Sequence, residues 1–146
     1  MSKSDAFETA LLGMIFQNAN IANIGDATGL RGAAAAGQLF FALHTADPGE
    51  AGTQTTNEVT YTGYARVGVA RSAAGFALTG NSISPVANVD FGAPTAGTGT
   101  ATHFSIGTLA SGAGMILYRG PLTPTIAFAP ASAAPRILPA TTITED

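Results

Sequence analysis

The 146-residue chain contains no cysteine and no tryptophan, and it has a single lysine, Lys3. Without cysteine there can be no disulfide framework and no thiolate metal site. Charged residues make up 10% of the chain, against about 25% in ordinary soluble domains. Its five arginines are Arg31, Arg66, Arg71, Arg119 and Arg136, and the net charge is −3. Nucleic-acid binding needs a basic field to engage phosphates, and this chain has none. No run approaches the roughly twenty apolar residues of a membrane span. The start lacks the basic region and continuous apolar stretch of a secretory signal, which leads us to expect a chain that stays in the cytoplasm after synthesis, or in something assembled there.

In place of charge there is Ala, Gly, Ser and Thr. Such a surface suits contact with other protein, where no charge has to be desolvated. It suits a free monomer poorly, because solubility favours interspersed charge. The length fits one domain, or one domain with an arm.

The stretch "SKSDAFETALLGMIFQN" predicts a helix. Ser4 or Asp5 can cap it, with Glu8 three residues after Asp5. Phe7, Leu11, Met14 and Ile15 fall on one stripe, which Leu12 and Phe16 broaden. Gly13 weakens the helix by about 1 kcal/mol relative to Ala. The expected place for the stripe is the sheet or a neighbouring subunit. Asn, Gly and Asp then punctuate the chain as turns, and "RGAAAAG" reads as one helical turn or an extended arm.

From Leu39 onward the pattern is short strands with Gly, Pro and Asn between them. "QLFFALHT" alternates Leu39, Phe41 and Leu43 against Phe40, Ala42 and His44. "YTGYARVGVARS", "GFALTGNSIS", "ANVDF", "TATHFSIGTL", "GMILYRG", "TIAFA" and "ATTITED" are further candidates, and "APTAGTGTAT" reads as an exposed hairpin loop. No helical crossovers separate these strands, which excludes a parallel α/β fold. The expectation is a mainly β chain: a single antiparallel β-sandwich or barrel-like domain with an N-terminal helix or arm. Its division is a helix and turn-rich arm over 1–37 and a β-domain over 38–146.

Chemistry is hard to assemble from the residues present. His44, Asp47 and Glu50 are spaced like ligands on a helix face, but Asp-Pro-Gly is a turn signature and Pro48 disfavours helix at Asp47. The acidic residues are too few for a calcium loop. A nucleophilic triad has only His44 and His103 as bases, and no nucleophile elbow accompanies either. "GDATGLRG" lacks the Lys-Ser/Thr ending of a phosphate loop. No catalytic, cofactor-binding or metal residue is therefore expected. Tyr61, Tyr64, Arg66 and Arg71 remain, of residue types enriched at binding hot spots. They read either as an interface patch, or as Tyr64 packed at a sheet edge with Arg66 paired to an acidic neighbour.

The stretches "LFFALHTADPGEAGTQTTNEVTYTGYARVGVARS" and "THFSIGTLASGAGMILYRGPLTP" and the final "TITED" resemble a family of small virion proteins in tailed bacteriophages, often labelled tail-fibre-like. "LHTADPGE" and "YTGYARV" are its specific part. The resemblance implies a structural particle protein with no cofactor and no reaction. A distal fibre normally needs a shaft or repeats, and neither is visible in the chain. The expectation is accordingly a capsid decoration (cement) protein on the outer shell, with the major capsid protein and copies of itself in a homo-oligomer as partners. The mechanism would be mass action, since a ligand of the assembled lattice stabilises it by its binding free energy. The alternative is a tail component partnered by tail proteins. The candidate interface residues are Phe7, Leu11, Met14, Ile15, Tyr61, Tyr64, Arg66 and Arg71; nucleic acid and membrane are not expected partners.

Overall fold

The computed structural model describes residues 2–145. Strand accounts for 38% and helix for 9%, so the fold is mainly β. The elements are α1 (Asp5–Gln17), β1 (Gln38–His44), β2 (Val67–Ala70), β3 (Phe76–Thr79), β4 (Ser82–Pro85), β5 (Val89–Asp90), β6 (Gly99–Gly107), β7 (Ile116–Phe128), β8 (Arg136–Ile137) and β9 (Ile143–Thr144). They form three sheets, of order β2-β1-β6-β7, β3-β4-β9 and β5-β8. The registered pairs are antiparallel, and the sheets do not close into a barrel. No helix among the described residues is long and apolar enough to cross a membrane.

The chain divides into two units assembled from separated segments. The first unit takes the N-terminal residues up to Gln38, then Val69–Asn88, then the chain from Leu138 on. The second takes Leu39–Gly68 and Val89–Ile137. Long-range pairing decides the division, and local composition carries no trace of it.

In the first unit, Ser4 caps α1 and accepts a bond from the Phe7 N–H. Asn18 ends the helix in the left-handed conformation, its N–H reaching the Gly13 carbonyl. The helix buries Leu12 and Phe16, with Glu8 and Gly13 on the same side. Phe16 meets Phe76 of β3 edge to face at 4.9 Å, and Ile83 of β4 and Ile143 of β9 complete this core. The face that packs is therefore Leu12/Phe16. The expected stripe of Phe7, Leu11, Met14 and Ile15 stays half-buried or exposed. After the helix, Ile21 and Leu30 form a bridge across a turn in which the Asp26 carboxylate accepts from the Thr28 hydroxyl and from the Thr28 and Gly29 N–H groups. These bonds, the Thr28 hydroxyl foremost, hold Asp26 below its usual pKa. "RGAAAAG" has no helical turn.

In the second unit, β1 lies inside its sheet and is buried on both faces at Phe41, Ala42, Leu43 and His44. Its two alternating sets of side chains therefore both lie largely in the interior. β1 pairs with β6 from Phe40↔Gly107 to His44↔His103. β7 is the sheet's outermost strand and joins two segments that the sequence suggested were separate. Its register against β6 passes from Ala101↔Ile126 to His103↔Pro121, so Thr102 faces four residues, 122–125. Such a bulge, with Pro124 within it and Pro121 beside it, interrupts an edge that would otherwise template further pairing. Only the first part of "APTAGTGTAT", up to Thr98, links β5 to β6, strands of different sheets, so it is a crossover and not a hairpin; the remainder is the start of β6.

Candidate functional site

Glu58 and Arg66 converge in the second unit. The strand-like run after the 45–57 loop brings Glu58 opposite His44 as a bridge, and the chain returns through Tyr64 to Arg66. Arg66 meets both Glu58 oxygens, with Nε to Oε1 at 2.7 Å and Nη2 to Oε2 at 2.7 Å. Its Nη1 donates to the Leu109 carbonyl and its Nη2 also to that of Gly112. The Arg66 side chain is 2% exposed and that of Glu58 15%. Such planar two-pronged pairing is a property of arginine that lysine cannot copy. The Tyr64 hydroxyl donates to Glu58 Oε1 at 2.9 Å and accepts from the Leu43 N–H. Burial, first, pushes the Tyr64 pKa far up, so the phenol stays a donor. The Tyr64 ring stacks on Phe91 at 6.0 Å, and Tyr61 packs between Tyr64 and Phe128.

Beside this network is a depression of about 390 Å³, lined by Glu58–Tyr61, Tyr64–Arg66 and Ala110–Gly112. Its loop wall is fixed from below. Buried Gln54 donates to the Phe40 carbonyl and accepts from the Leu109 N–H. Gly114 is required there, because a Cβ at that position would come within 2.2 Å of Gln54 Oε1.

A serine–histidine contact lies deeper. His44 Nδ1 is 2.8 Å from the Thr56 carbonyl, which can only accept, so Nδ1 carries the proton. Nε2 then accepts from the Ser105 hydroxyl at 2.8 Å. The arrangement is that of a nucleophile and its base, but both residues are fully buried and no substrate can reach the hydroxyl. Burial holds the His44 pKa below its ordinary value, so the ring is neutral near pH 7. His103, its partner in register, bonds its own neighbour Thr102.

The remaining sequence candidates separate. Asp47 accepts from Gly49 N–H, as expected of the Asp-Pro-Gly turn, and pairs with Arg119. The Gly49 bond is the main reason its pKa is lowered. His44, Asp47 and Glu50 do not gather, and no metal-sized cluster of His, Asp and Glu occurs among the described residues. Asp90 pairs with Arg136 across the β5–β8 ladder. Arg71 lies in the first unit, where its Nη2 donates to the Met14 carbonyl at 2.7 Å and its Nε to that of Ile15. A cation on the last carbonyls of a helix also opposes the helix dipole favourably. Tyr61, Tyr64 and Arg66 thus form one constellation, and Arg71 has a separate structural role. The acidic partner of Arg66 was foreseen in kind. Gln54 and Ser105 were missed; the closely spaced glycines of the 107–114 stretch were the only trace of Gln54.

No curated protein matches the chain. A family match covers residues 2–134, and its description is that of a fibre protein of a podophage. The β-rich antiparallel fold and the few charges agree with a structural role in a phage particle. By that match, the chain belongs to the Gp80 family, that of podophage GP4 fiber I protein gp80.

Proposed function

We propose that the chain is a non-enzymatic component of the fibre apparatus on the phage tail, working by contact with other tail proteins and with copies of itself. The observation that carries this reading is the family match over residues 2–134, whose description names a fibre protein. Capsid decoration, favoured from the sequence, rested on the lack of a shaft or repeat. A small β-rich chain without a shaft can still serve as the joint or attachment piece of a fibre, so the family description outweighs that reasoning.

The contact surface proposed is the outward face of α1. Phe7, Leu11, Met14 and Ile15 remain partly accessible after the helix has packed its Leu12/Phe16 face, and Phe7 is 39% exposed. Tyr61 and Arg66 direct their polar groups inward and contribute little surface. Asp5 is the one exposed charge among residues 5–17, so desolvating this face is inexpensive.

Separation of heads from tails in purified particles tests the proposal. The chain is expected in the tail fraction, at more than one copy per particle. Recovery with the heads alone would support capsid decoration instead. In the same particles, Phe7→Ser with Met14→Ser is expected to reduce incorporation several-fold while the melting temperature of the purified chain changes little. Full incorporation would remove the helix face from the contact.

A further inference from the structure

Charge is scarce in this chain, and nearly every cation is committed. Lys3 pairs with Glu145, Arg66 with Glu58, Arg119 with Asp47 and Arg136 with Asp90, while Arg71 donates to helix carbonyls. Arg31 differs. It is exposed and, among the described residues, its side chain has no hydrogen bond or ion pair.

The backbone on either side of Arg31 is fixed. Ile21 and Leu30 each donate an N–H to the other's carbonyl at 2.8 Å. The Gly32 N–H donates to Asn20 Oδ1 at 2.9 Å, and Ala33 exchanges two bonds with the Asn18 side chain. Gly29 is required in this hairpin, since a Cβ there would come within 1.9 Å of the Ile21 carbonyl oxygen. The same hairpin leaves Leu30 43% and Ile24 39% exposed. Arginine is a residue type enriched at binding hot spots, and a preformed hairpin loses little ordering entropy when a partner meets it.

A complementary surface lies on the same chain. Asp5, Ala6 and Phe7 are all exposed, so the first turn of α1 is open around its end. Asp5 offers there a carboxylate that has no partner among the described residues, and Phe7 offers an accessible ring. Glu50 is likewise exposed, but no large apolar side chain of the 45–57 loop is exposed beside it. Within one copy Asp5 and Arg31 do not meet. Asp5 opens α1, the hairpin is tied to Asn18, which closes it, and a 13-residue helix is about 20 Å long.

We propose that the first turn of α1 receives the 21–31 hairpin of a second copy of this chain, with Arg31 of one copy on Asp5 of the next and Ile24 and Leu30 against Phe7. The inference rests on the proposed use of α1 for contact and names its occupant. The two patches differ and each copy carries both, so copies join head to tail.

Sedimentation velocity of the purified full chain is the test. The wild type is expected to associate as its concentration rises. Arg31→Glu and Asp5→Arg, each alone, set like charges against each other across the contact and should weaken association at least about tenfold. Mixed one to one, the two variants should associate again, because each offers the charge that the other lacks; this recovery also shows that both are folded. A wild type that stays monomeric would assign the hairpin to another protein and overturn the self-contact. Association unmoved by either variant, or a mixture no tighter than its components, would overturn it as well. No particle is present in this measurement. A monomeric chain that is nevertheless recovered in the tail fraction overturns this contact alone, and an associating chain recovered with the heads overturns the tail placement alone.

Discussion

Arg66 shows how few charges this chain can spare. It bonds two carboxylate oxygens and two backbone carbonyls, and so anchors the 108–115 loop as well as its ion pair. Removing one partner leaves a buried charge uncompensated, typically at a cost of about 3–5 kcal/mol. Arg66→Lys keeps the charge but loses the two-pronged geometry, so Glu58→Gln and Arg66→Lys should both lower denaturant stability, the first within that range and the second by less. Equal stability to the wild type would show that the pair does not support the unit. His44 makes a pH prediction. Its folded pKa is depressed by burial, so as pH falls the unfolded chain takes up a proton first. The buried neutral ring therefore contributes fully above about pH 6.5 and progressively less below it. Melting temperature should drop between pH 7 and 5, and His44→Gln should flatten that drop even if it lowers stability throughout. An unchanged slope would assign the pH dependence to other groups. At this scale the sequence was partly legible. An acidic neighbour for Arg66 was one of two readings of that residue, and the neighbour itself was not named. Gln54 left only the indirect trace of the 107–114 glycines, because it reaches a backbone carbonyl fourteen residues away in a loop that has no period.

At the scale of elements, α1 was legible in extent but not in orientation. Its cap, its length and its apolar content all follow from local rules. It carries two overlapping apolar stripes, however, and only the positions of β3 and β4 decide that Leu12 and Phe16 turn inward. Phe16→Ala should cost about 3–5 kcal/mol, whereas Phe7→Ala should stay within about 0.5 kcal/mol, as at most surface sites. Comparable losses at both would contradict the assigned face. Gly13 offers a gain. A Cβ there would meet Leu78 Cδ2 at 3.5 Å and Ala19 Cβ at 3.7 Å, both ordinary contacts. Gly13→Ala should then add up to about 1 kcal/mol through helix propensity, and a loss in chemical denaturation would mean that the helix lies closer to β3 than described. The strands show the opposite failure. β1 alternates in sequence but is buried on both faces, and β7 runs through two prolines, Pro124 among the four bulged residues and Pro121 in register with His103 beside them.

At the scale of the whole chain, the class was legible and the architecture was not. Low charge, short strands and a capped helix were enough for a mainly antiparallel β protein. The two units were hidden, since Val69–Asn88 and the residues from Leu138 on join the N-terminal segment through pairings that no local pattern encodes. A structural role in a phage particle followed from residues that resemble a virion family, and the family match supports it. The position on the particle is the central claim. It is tested most directly by imaging intact virions that carry a labelled copy of this chain. Label confined to the tail, at the fibres, is the predicted result; label spread over the icosahedral shell, or none on the particle at all, would contradict the account.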